Sequence, residues 1–274
     1  MLSISCTHPD LEEFIEIKND LNRVTKANIS VRVNNDFMNA VKNDLDWELY
    51  FKTEHGDEMR KVVKAKQLFR LLSKNNWSMA EPGILFWDRI ENYNLLSEDN
   101  DFKYAGVNPC AEEPLPEGGS CLLGSINLSA YVKNQSFDYD TFKSDLHVIV
   151  KAMNDVLDQG LPLHPLQIQR DSVRDWRQIG IGIMGLADML IKMELKYDSL
   201  EAQEFCDWLG FVMANESIKA SALLAKEYGT YPKYNGDVIT KSPFLAINTD
   251  TETLELVKEY GLRNSQILTI APFK

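Results

Sequence analysis

Apolar and polar positions along the chain follow two periods, and these predict alternating strands and helices. Ile29, Val31 and Val33 recur at every second position, which is typical of a strand, and Leu2–Ser5 is a short apolar segment compatible with another. Helical spacing predicts helices in segments 8–20, 35–44, 56–77 and 142–157 and in Leu200–Tyr228. In segment 56–77 the apolar stripe consists of Val62, Val63, Leu68, Leu71 and Leu72.

The middle of the chain is less regular. Proline and glycine recur from segment 78–90 to segment 108–120 and predict loops, after which segment 121–132 is apolar and extended. Segment 177–193 predicts a buried strand followed by a helix, and segment 265–272 predicts a closing strand. Strands that alternate with helices indicate an α/β fold. Because no repeat or linker interrupts the pattern, we expect a single domain over residues 1–274.

Composition and charge narrow the range of functions. With 274 residues, of which 44% are hydrophobic and 26% charged, the chain can bury a sizeable core. The net charge of −12 argues against nucleic acid as a partner, because binding to phosphates relies on clustered lysine and arginine. No run approaches the roughly 20 apolar residues of a membrane helix, and the first residues lack the pattern of a signal peptide. We therefore expect a cytoplasmic protein that binds neither nucleic acid nor membrane.

The cysteines and histidines are scattered along the chain. Their spacing argues against a disulfide framework or a zinc site and indicates reduced thiols. We therefore expect no metal bound by this chain. The residues concerned are Cys6, Cys110, Cys121 and Cys206, and His8, His55, His147 and His164.

Cys110 lies in the segment NPCAEEPLP, whose residue types would be awkward in a core. Pro109 and Pro114 restrict the backbone on either side of the thiol. If the segment is extended, Asn108, Cys110 and Glu112 point to the same face, because side chains alternate along an extended chain. An amide that holds hydroxyls, a sulfur and a carboxylate that takes a proton would form a reaction centre. An ordinary polar loop is the alternative.

The other cysteines have simpler interpretations. Cys121 opens the apolar segment that follows the loop, and together with Cys110 it could support thiol–disulfide exchange, with burial as the alternative. Cys206 lies on a predicted helix beside aromatic residues, where a buried thiol is expected. Cys6 ends the first predicted strand, and we expect a structural role for it.

Three glycines form a possible nucleotide-binding motif. Gly180, Gly182 and Gly185 match GxGxxG, and Asp198 falls near the position of an acidic ribose ligand, so a dinucleotide site is one interpretation. The segment before them is too polar for a long first strand. Close packing of a strand and a helix is therefore the favoured interpretation.

Several segments resemble the catalytic large subunit of ribonucleotide reductase. NPCAEEPLPEGGSCLLGSINL is similar to the active-site segment of that family, especially in the adenosylcobalamin-dependent class II and related class I enzymes. HPDLEEFIEIKNDLNRVTKANISVRVNNDFM, RQIGIGIMGLADML and GLRNSQILTIAP resemble further family segments in the same order. The resemblance implies part of the ten-stranded α/β barrel of this subunit, with the radical cysteine on an internal loop.

The resemblance also implies the chemistry. A thiyl radical on Cys110 would abstract the 3′ hydrogen of a ribonucleoside di- or triphosphate, while Glu112 takes the 3′ hydroxyl proton and Asn108 holds the ribose hydroxyls. The 2′ hydroxyl would leave as water, and Cys121 would be one thiol of the redox pair that supplies the electrons. The implied role is deoxyribonucleotide biosynthesis for DNA replication.

The sequence departs from the family pattern at both ends. In relatives the partner of the redox thiol lies upstream of the segment that opens this chain, and Cys6 falls too late in the pattern to replace it. The effector region and the first part of the barrel also lie upstream. Relatives continue Ile-Ala-Pro into a phosphate-binding loop, whereas this sequence continues with Phe273 and Lys274. We therefore expect a partial catalytic barrel domain without the family's N-terminal region and phosphate loop.

Partners and cofactors follow from the same resemblance. Class II relatives use adenosylcobalamin as the radical source, whereas class I relatives receive the radical from a dimetal small subunit, which is the alternative here. A second polypeptide would supply the missing barrel half, and a thioredoxin-like protein would supply reducing electrons. The alternative to such a split-chain enzyme is a non-catalytic, truncated remnant of the same fold.

Overall fold

The computed structural model describes residues 1–20 and 22–271, and their contacts divide the chain into two compact units. Unit 1 is Met1–Asn92 and unit 2 is Tyr93–Lys274. Each contains both helices and strands, so the predicted α/β class is confirmed. The described residues form no closed barrel, which fits part of one. The expectation of one domain over residues 1–274 stays a prediction.

Unit 1 contains a three-stranded parallel sheet, an antiparallel hairpin and four helices. Its strands are β1 (Leu2–Ser5), β2 (Ile29–Val33), β3 (Asp46–Lys52), β4 (Glu58–Lys64) and β5 (Gly83–Phe86). Its helices are α1 (Leu11–Glu16), α2 (Asn35–Lys42), α3 (Ala65–Met79) and α4 (Trp87–Asn92). A 3-10 turn, Ile17–Asn19, follows α1.

The sheet of unit 1 has β2 at its centre, paired in parallel with β1 and with β5. The apolar residues of β2 that recur at every second position are buried, as their period predicts: Ile29, Val31 and Val33. Phe37 of α2 and Leu68 of α3 belong to the same apolar cluster as Val31 and Val33. The helices therefore cover the sheet through the stripes that the sequence indicates.

Two sequence predictions are wrong in unit 1. The helix predicted over 56–77 begins only at Ala65, because the residues before it form β4, which pairs antiparallel with β3. Val62 and Val63 are β-branched and fit a pleated strand, and the Arg60 guanidinium lies 4.3 Å from the centre of the Tyr50 ring on the facing strand. Spacing within one segment cannot show such cross-strand contacts. Segment 78–90, predicted as a loop, contains β5 and α4.

In its described part, up to residue 271, unit 2 combines short strands with seven helices. Its strands are β6 (Gly106–Val107), β7 (Pro114–Leu115), β8 (Leu123–Asn127), β9 (Val132–Lys133), β10 (Ser136–Phe137) and β11 (Gly180–Met184). Its helices are α5 (Tyr139–Gly160), α6 (Gln167–Trp176), α7 (Leu186–Lys192), α8 (Leu200–Tyr228), α9 (Gly236–Ile239), α10 (Pro243–Asn248) and α11 (Thr251–Tyr260). The bounds predicted for the longest helix, α8, are confirmed to the residue, and the helix predicted over 142–157 corresponds to α5.

The centre of unit 2 is the parallel pair of β8 and β11. The segment that was predicted as a closing strand, 265–272, runs beside β11 but forms only one isolated bridge, between Ile181 and Leu268. Two backbone hydrogen bonds support it: Ile181 N–H donates to Ile267 O at 2.8 Å, and Thr269 N–H donates to Ile181 O at 3.1 Å. The predicted continuous strand is therefore wrong for residues 265–271, and Pro272 lies outside the described residues.

The glycines of β11 allow this close approach. A Cβ atom on Gly182 would lie 2.5 Å from the carbonyl oxygen of Thr269, and one on Gly180 would lie 2.6 Å from the Cγ2 atom of Thr269. Gly185 has a φ angle of +70° and directly precedes α7. All three glycines of the GxGxxG motif are thus needed for packing and chain direction, which supports the packing interpretation over a dinucleotide site.

Gly182→Ala should lower the free energy of unfolding by about 1–3 kcal/mol, as overpacking of a close contact typically does. The added methyl group would meet backbone atoms, which cannot rotate away. Urea denaturation measures the effect. Gly210→Ala is the matched control: no atom lies within 4 Å of its added Cβ, and it lies inside α8. There alanine should be neutral or stabilising by up to about 1 kcal/mol. Equal destabilisation in both variants would contradict this account.

A buried polar network holds the segment that leads to Thr269. Asn154 of α5 and Asn264 exchange two side-chain hydrogen bonds, each of 3.0 Å, and Arg177 donates to the Asn154 oxygen at 3.0 Å. Asn264 also donates to the Arg177 carbonyl oxygen at 2.9 Å. Asn264 is fully buried, so these bonds satisfy amide groups that cannot reach water. The network fixes the start of the segment beside β11.

Candidate active site

The segment that contains Cys110 is a narrow hairpin in unit 2. Strands β6 and β7 pair antiparallel, with Gly106 opposite Leu115 and Val107 opposite Pro114. The residues between them turn tightly, because the Ala111 N–H donates to the Asn108 carbonyl oxygen at 3.1 Å. Asparagine in the first position of such a turn and proline in the second are common, since proline already has the required φ angle.

Asn108 connects the two sides of the hairpin and the next segment of the chain. Its backbone N–H donates to the Glu113 carbonyl oxygen at 3.1 Å, and its side-chain oxygen accepts from the Glu113 N–H at 3.1 Å. Its side-chain nitrogen donates to the Cys121 sulfur at 3.4 Å. Asn108 is only 6% exposed. An amide has two donor hydrogens and two acceptor lone pairs, so one of each is still free for a ligand.

Cys110 is exposed in the turn of this hairpin and forms no disulfide. The extended conformation assumed for Asn108, Cys110 and Glu112 is wrong: the chain turns at residues 109 and 110, and Ala111 has a φ angle of +71°. Alternation along an extended strand therefore does not place these three side chains. The turn instead presents the thiol to solvent, while Asn108 is buried at its base.

Glu112 is half-buried, and its position is fixed through its backbone. The Thr269 hydroxyl donates to the Glu112 carbonyl oxygen at 2.6 Å, so the segment beside β11 holds the hairpin directly. The side-chain Oε2 atom of Glu112 is shielded from water and has no hydrogen-bond partner among the described residues. A carboxylate oxygen in that state is available to accept a proton or a hydroxyl group.

Glu113, the neighbour of Glu112, is a second carboxyl group of the site. It is 5% exposed, and burial raises its pKa to about 7, with a further increase from the charge of Glu112 and an opposing effect of the Cys121 thiol. The pKa of Cys121 is raised to about 12, first by loss of hydration around the sulfur and then by Glu113. Cys121 as a residue is nevertheless exposed, so its thiol is only partly shielded from water.

The remaining cysteines lie apart from this group. Cys6 is 1% exposed in the apolar cluster of unit 1, where burial raises the pKa of its thiol. Cys206 is half-buried on α8, beside the aromatic residue Phe205. Cys6 fits the structural role expected from the sequence, whereas Cys206 is only half-buried, although a buried thiol was expected there.

The described residues contain neither a metal-binding cluster nor a membrane-spanning helix. No cluster of three or more histidine, cysteine or acidic side chains suited to a metal ion occurs among them. No helix in that part of the chain is long and apolar enough to cross a membrane.

Sequence reasoning missed three contributors to the site. Glu113 does not fall on the face that an extended segment would share with Asn108, Cys110 and Glu112, although its carboxylate is visible in the sequence AEEP. Thr269 lies far along the chain and carries no local signal. Tyr104 is buried just before the hairpin, and its hydroxyl accepts a hydrogen bond from Gln266, which belongs to the same segment as Thr269.

Comparison with known proteins agrees with the resemblance in the sequence. The family model described as "Ribonucleotide reductase, barrel domain" matches residues 1–274. A vitamin B12-dependent ribonucleoside-diphosphate reductase of Thermoplasma acidophilum is 35% identical over 92% of this chain. An enzyme of the same name from Mycobacterium tuberculosis is 30% identical over 99% of the chain. A ribonucleoside-diphosphate reductase subunit alpha of Chlamydia pneumoniae is 30% identical over 81% of it.

The matched regions are only part of these relatives. They make up 32% of the Thermoplasma protein, 36% of the Mycobacterium protein and 23% of the Chlamydia protein. The chain thus spans about a third or less of the length of each relative.

Proposed function

Since the chain belongs to the ribonucleotide reductase barrel-domain family, we propose that it carries the radical cysteine of an enzyme that reduces ribonucleotides to deoxyribonucleotides. The observation that carries this proposal is the hairpin of Asn108 to Glu113. It presents the Cys110 thiol to solvent and keeps a buried amide and a half-buried carboxyl group within the same turn.

In this proposal each residue has one chemical role. Cys110 carries a thiyl radical, which takes the 3′ hydrogen atom of the substrate and later returns a hydrogen atom. Glu112 accepts the 3′ hydroxyl proton at its unpartnered oxygen. Asn108 uses its free donor and acceptor for ribose hydroxyls. The 2′ hydroxyl leaves as water, and the redox thiol Cys121, with a second thiol, supplies two electrons and ends in a disulfide.

The substrate in this proposal is a ribonucleoside di- or triphosphate, as the family implies. A second thiol completes the redox pair with Cys121, and a thioredoxin-like reductant restores the dithiol. In relatives the loop that would bind the substrate phosphates follows the Ile-Ala-Pro segment. In this chain Phe273 and Lys274 follow that segment, and they lie outside the described residues. The alternative is a non-catalytic remnant of the same fold.

We propose adenosylcobalamin as the radical source, because the Thermoplasma and Mycobacterium relatives are named as vitamin B12-dependent. When bound, the cofactor supplies the oxidising radical equivalent. We assign no residue of this chain to its binding. A dimetal small subunit is the alternative source. The name of the Chlamydia relative, subunit alpha, is consistent with an enzyme of more than one subunit.

Purification of the native complex through a tag on this chain tests the proposal. The complex should reduce ribonucleotides when it receives a dithiol reductant, and the response to added adenosylcobalamin distinguishes the two radical sources. A complex that binds substrate but reduces no nucleotide under either radical supply would favour the remnant.

A further inference from the structure

Glu113 is a buried carboxyl group for which the reaction described above has no use. It is 5% exposed, and both of its carboxylate oxygens are shielded from water. Neither oxygen has a hydrogen-bond partner of standard geometry among the described residues. Burial of an unpaired carboxylate is costly, and most buried polar groups in proteins are hydrogen-bonded. Such a group therefore calls for an explanation in terms of its neighbours.

The neighbour of chemical interest is the thiol of Cys121. Asn108 links the two residues, because its nitrogen donates to the Cys121 sulfur at 3.4 Å while its oxygen accepts from the Glu113 N–H at 3.1 Å. Cys121 and Glu113 thus bind the same amide side chain, which places them next to each other, and each group affects the protonation of the other. The charged groups that act on the thiol are Glu113 and, more weakly, Glu112. Both are carboxylates.

We propose that Glu113 is a positioning residue that keeps the sulfur of Cys121 in the protonated thiol form. A carboxylate beside a thiol opposes the formation of a second negative charge at the same place. The functional meaning of this arrangement rests on the proposed function: Cys121 can give up a hydrogen as well as an electron only while it is an S–H group. A thiol is also a poor nucleophile, so the arrangement protects an exposed sulfur from electrophiles.

The charge that Glu113 places beside Cys121 depends on pH. Burial raises the pKa of Glu113 to about 7, so its carboxyl is largely neutral below that pH and charged above it. The repulsion on Cys121 is therefore absent at low pH and develops as the pH rises through about 7. Loss of hydration raises the pKa of Cys121 even without this charge, and the charge raises it further. The two groups titrate as a coupled pair.

Alkylation of the chain with iodoacetamide tests the proposal, with the Cys121 peptide quantified by mass spectrometry. The thiolate sulfur displaces iodide: the S–C bond forms, the C–I bond breaks, and the thiol proton goes to solvent. In the wild-type chain the logarithm of the rate should rise with pH, flatten near pH 7 as Glu113 becomes charged, and then rise again. Cys121 is exposed, so the reagent can reach it.

Glu113→Gln removes the charge and keeps the side-chain shape. In this variant the rate of Cys121 alkylation should rise with pH without flattening. The variant and the wild-type chain should therefore react alike at low pH and diverge above pH 7. Above that pH the variant should react faster by about threefold for each unit by which the pKa of Cys121 falls. Each unit by which the pKa falls increases the thiolate fraction about tenfold, but a less basic thiolate is a weaker nucleophile, so the net gain in rate is smaller.

Glu117→Gln is the matched control, because it removes an exposed carboxylate just after β7, and it should follow the wild-type profile. A wild-type profile without flattening would overturn the proposal, as would equal rates of wild type and Glu113→Gln above pH 7. If the variant fails to fold, the wild-type profile alone decides. The measurement requires no nucleotide reduction, so its failure would leave the assignment of Cys110 untouched.

Discussion

Cys110→Ser should abolish nucleotide reduction in the native complex while leaving its assembly intact. Sulfur forms a comparatively stable radical, whereas a serine hydroxyl does not replace it in hydrogen-atom abstraction, so the loss should reach the detection limit of the assay. The side chain is exposed in a turn, and the replacement is of similar size. Stability should therefore change by no more than about 0.5 kcal/mol, as is usual for surface substitutions. Product analysis after incubation with substrate, radical source and dithiol measures the effect.

Cys206→Ser is the control for this substitution. Cys206 is a half-buried thiol on α8, and no contact of the site depends on it. The control should retain turnover, which separates the effect of the radical position from a general sensitivity to cysteine replacement. Appreciable turnover by Cys110→Ser, with the control active, would refute the assignment of Cys110 as the radical cysteine.

β2 and α8 are two elements that the sequence predicted well. β2 shows strict alternation and is buried in the sheet of unit 1, and α8 carries helical residues from Leu200 to Tyr228. Local signals bound α8: Ser199 caps it by accepting from the Ala202 N–H at 3.2 Å, and Gly229 follows its last residue. Local chemistry was sufficient to define these elements.

The elements that the sequence predicted wrongly depend on partners elsewhere in the chain. β4 contains residues that also fit a helical period, and only its pairing with β3 decides for a strand. Strands β6 and β7 are two residues each, too short for any periodicity. The segment near Leu268 is apolar and extended, yet only one bridge to β11 forms in its described part. Such outcomes are set by tertiary contacts.

The sequence likewise predicted only part of the candidate site. Residue types identified Asn108, Cys110 and Glu112 as candidates, but the left-handed conformation of Ala111 replaces the expected extended chain with a turn. The contacts that hold the turn come from distant positions, above all the hydroxyl of Thr269. A sequence without an alignment offers no local signal for such a contact. The roles of the candidate residues stay predictions, which substitutions must test.

Glu112→Gln should slow nucleotide reduction by about 10²–10⁴-fold, the usual contribution of a general acid–base group. The amide keeps the size of the side chain but cannot take the 3′ hydroxyl proton. Because the Glu112 backbone is held by Thr269, the replacement should leave the hairpin in place. The rate under saturating substrate measures the loss, and binding of substrate should change much less than the rate.

The control for Glu112→Gln must remove a nearby charge without removing the base. Glu117→Gln meets this requirement, since Glu117 is exposed and lies just beyond the hairpin. It should retain the rate of the wild-type complex, because screening by water weakens the effect of an exposed charge on the site. If Glu112→Gln also retains that rate, another group takes the proton. Glu113 is then the nearest carboxyl group in the sequence, and the pH dependence of turnover in Glu113→Gln would identify it.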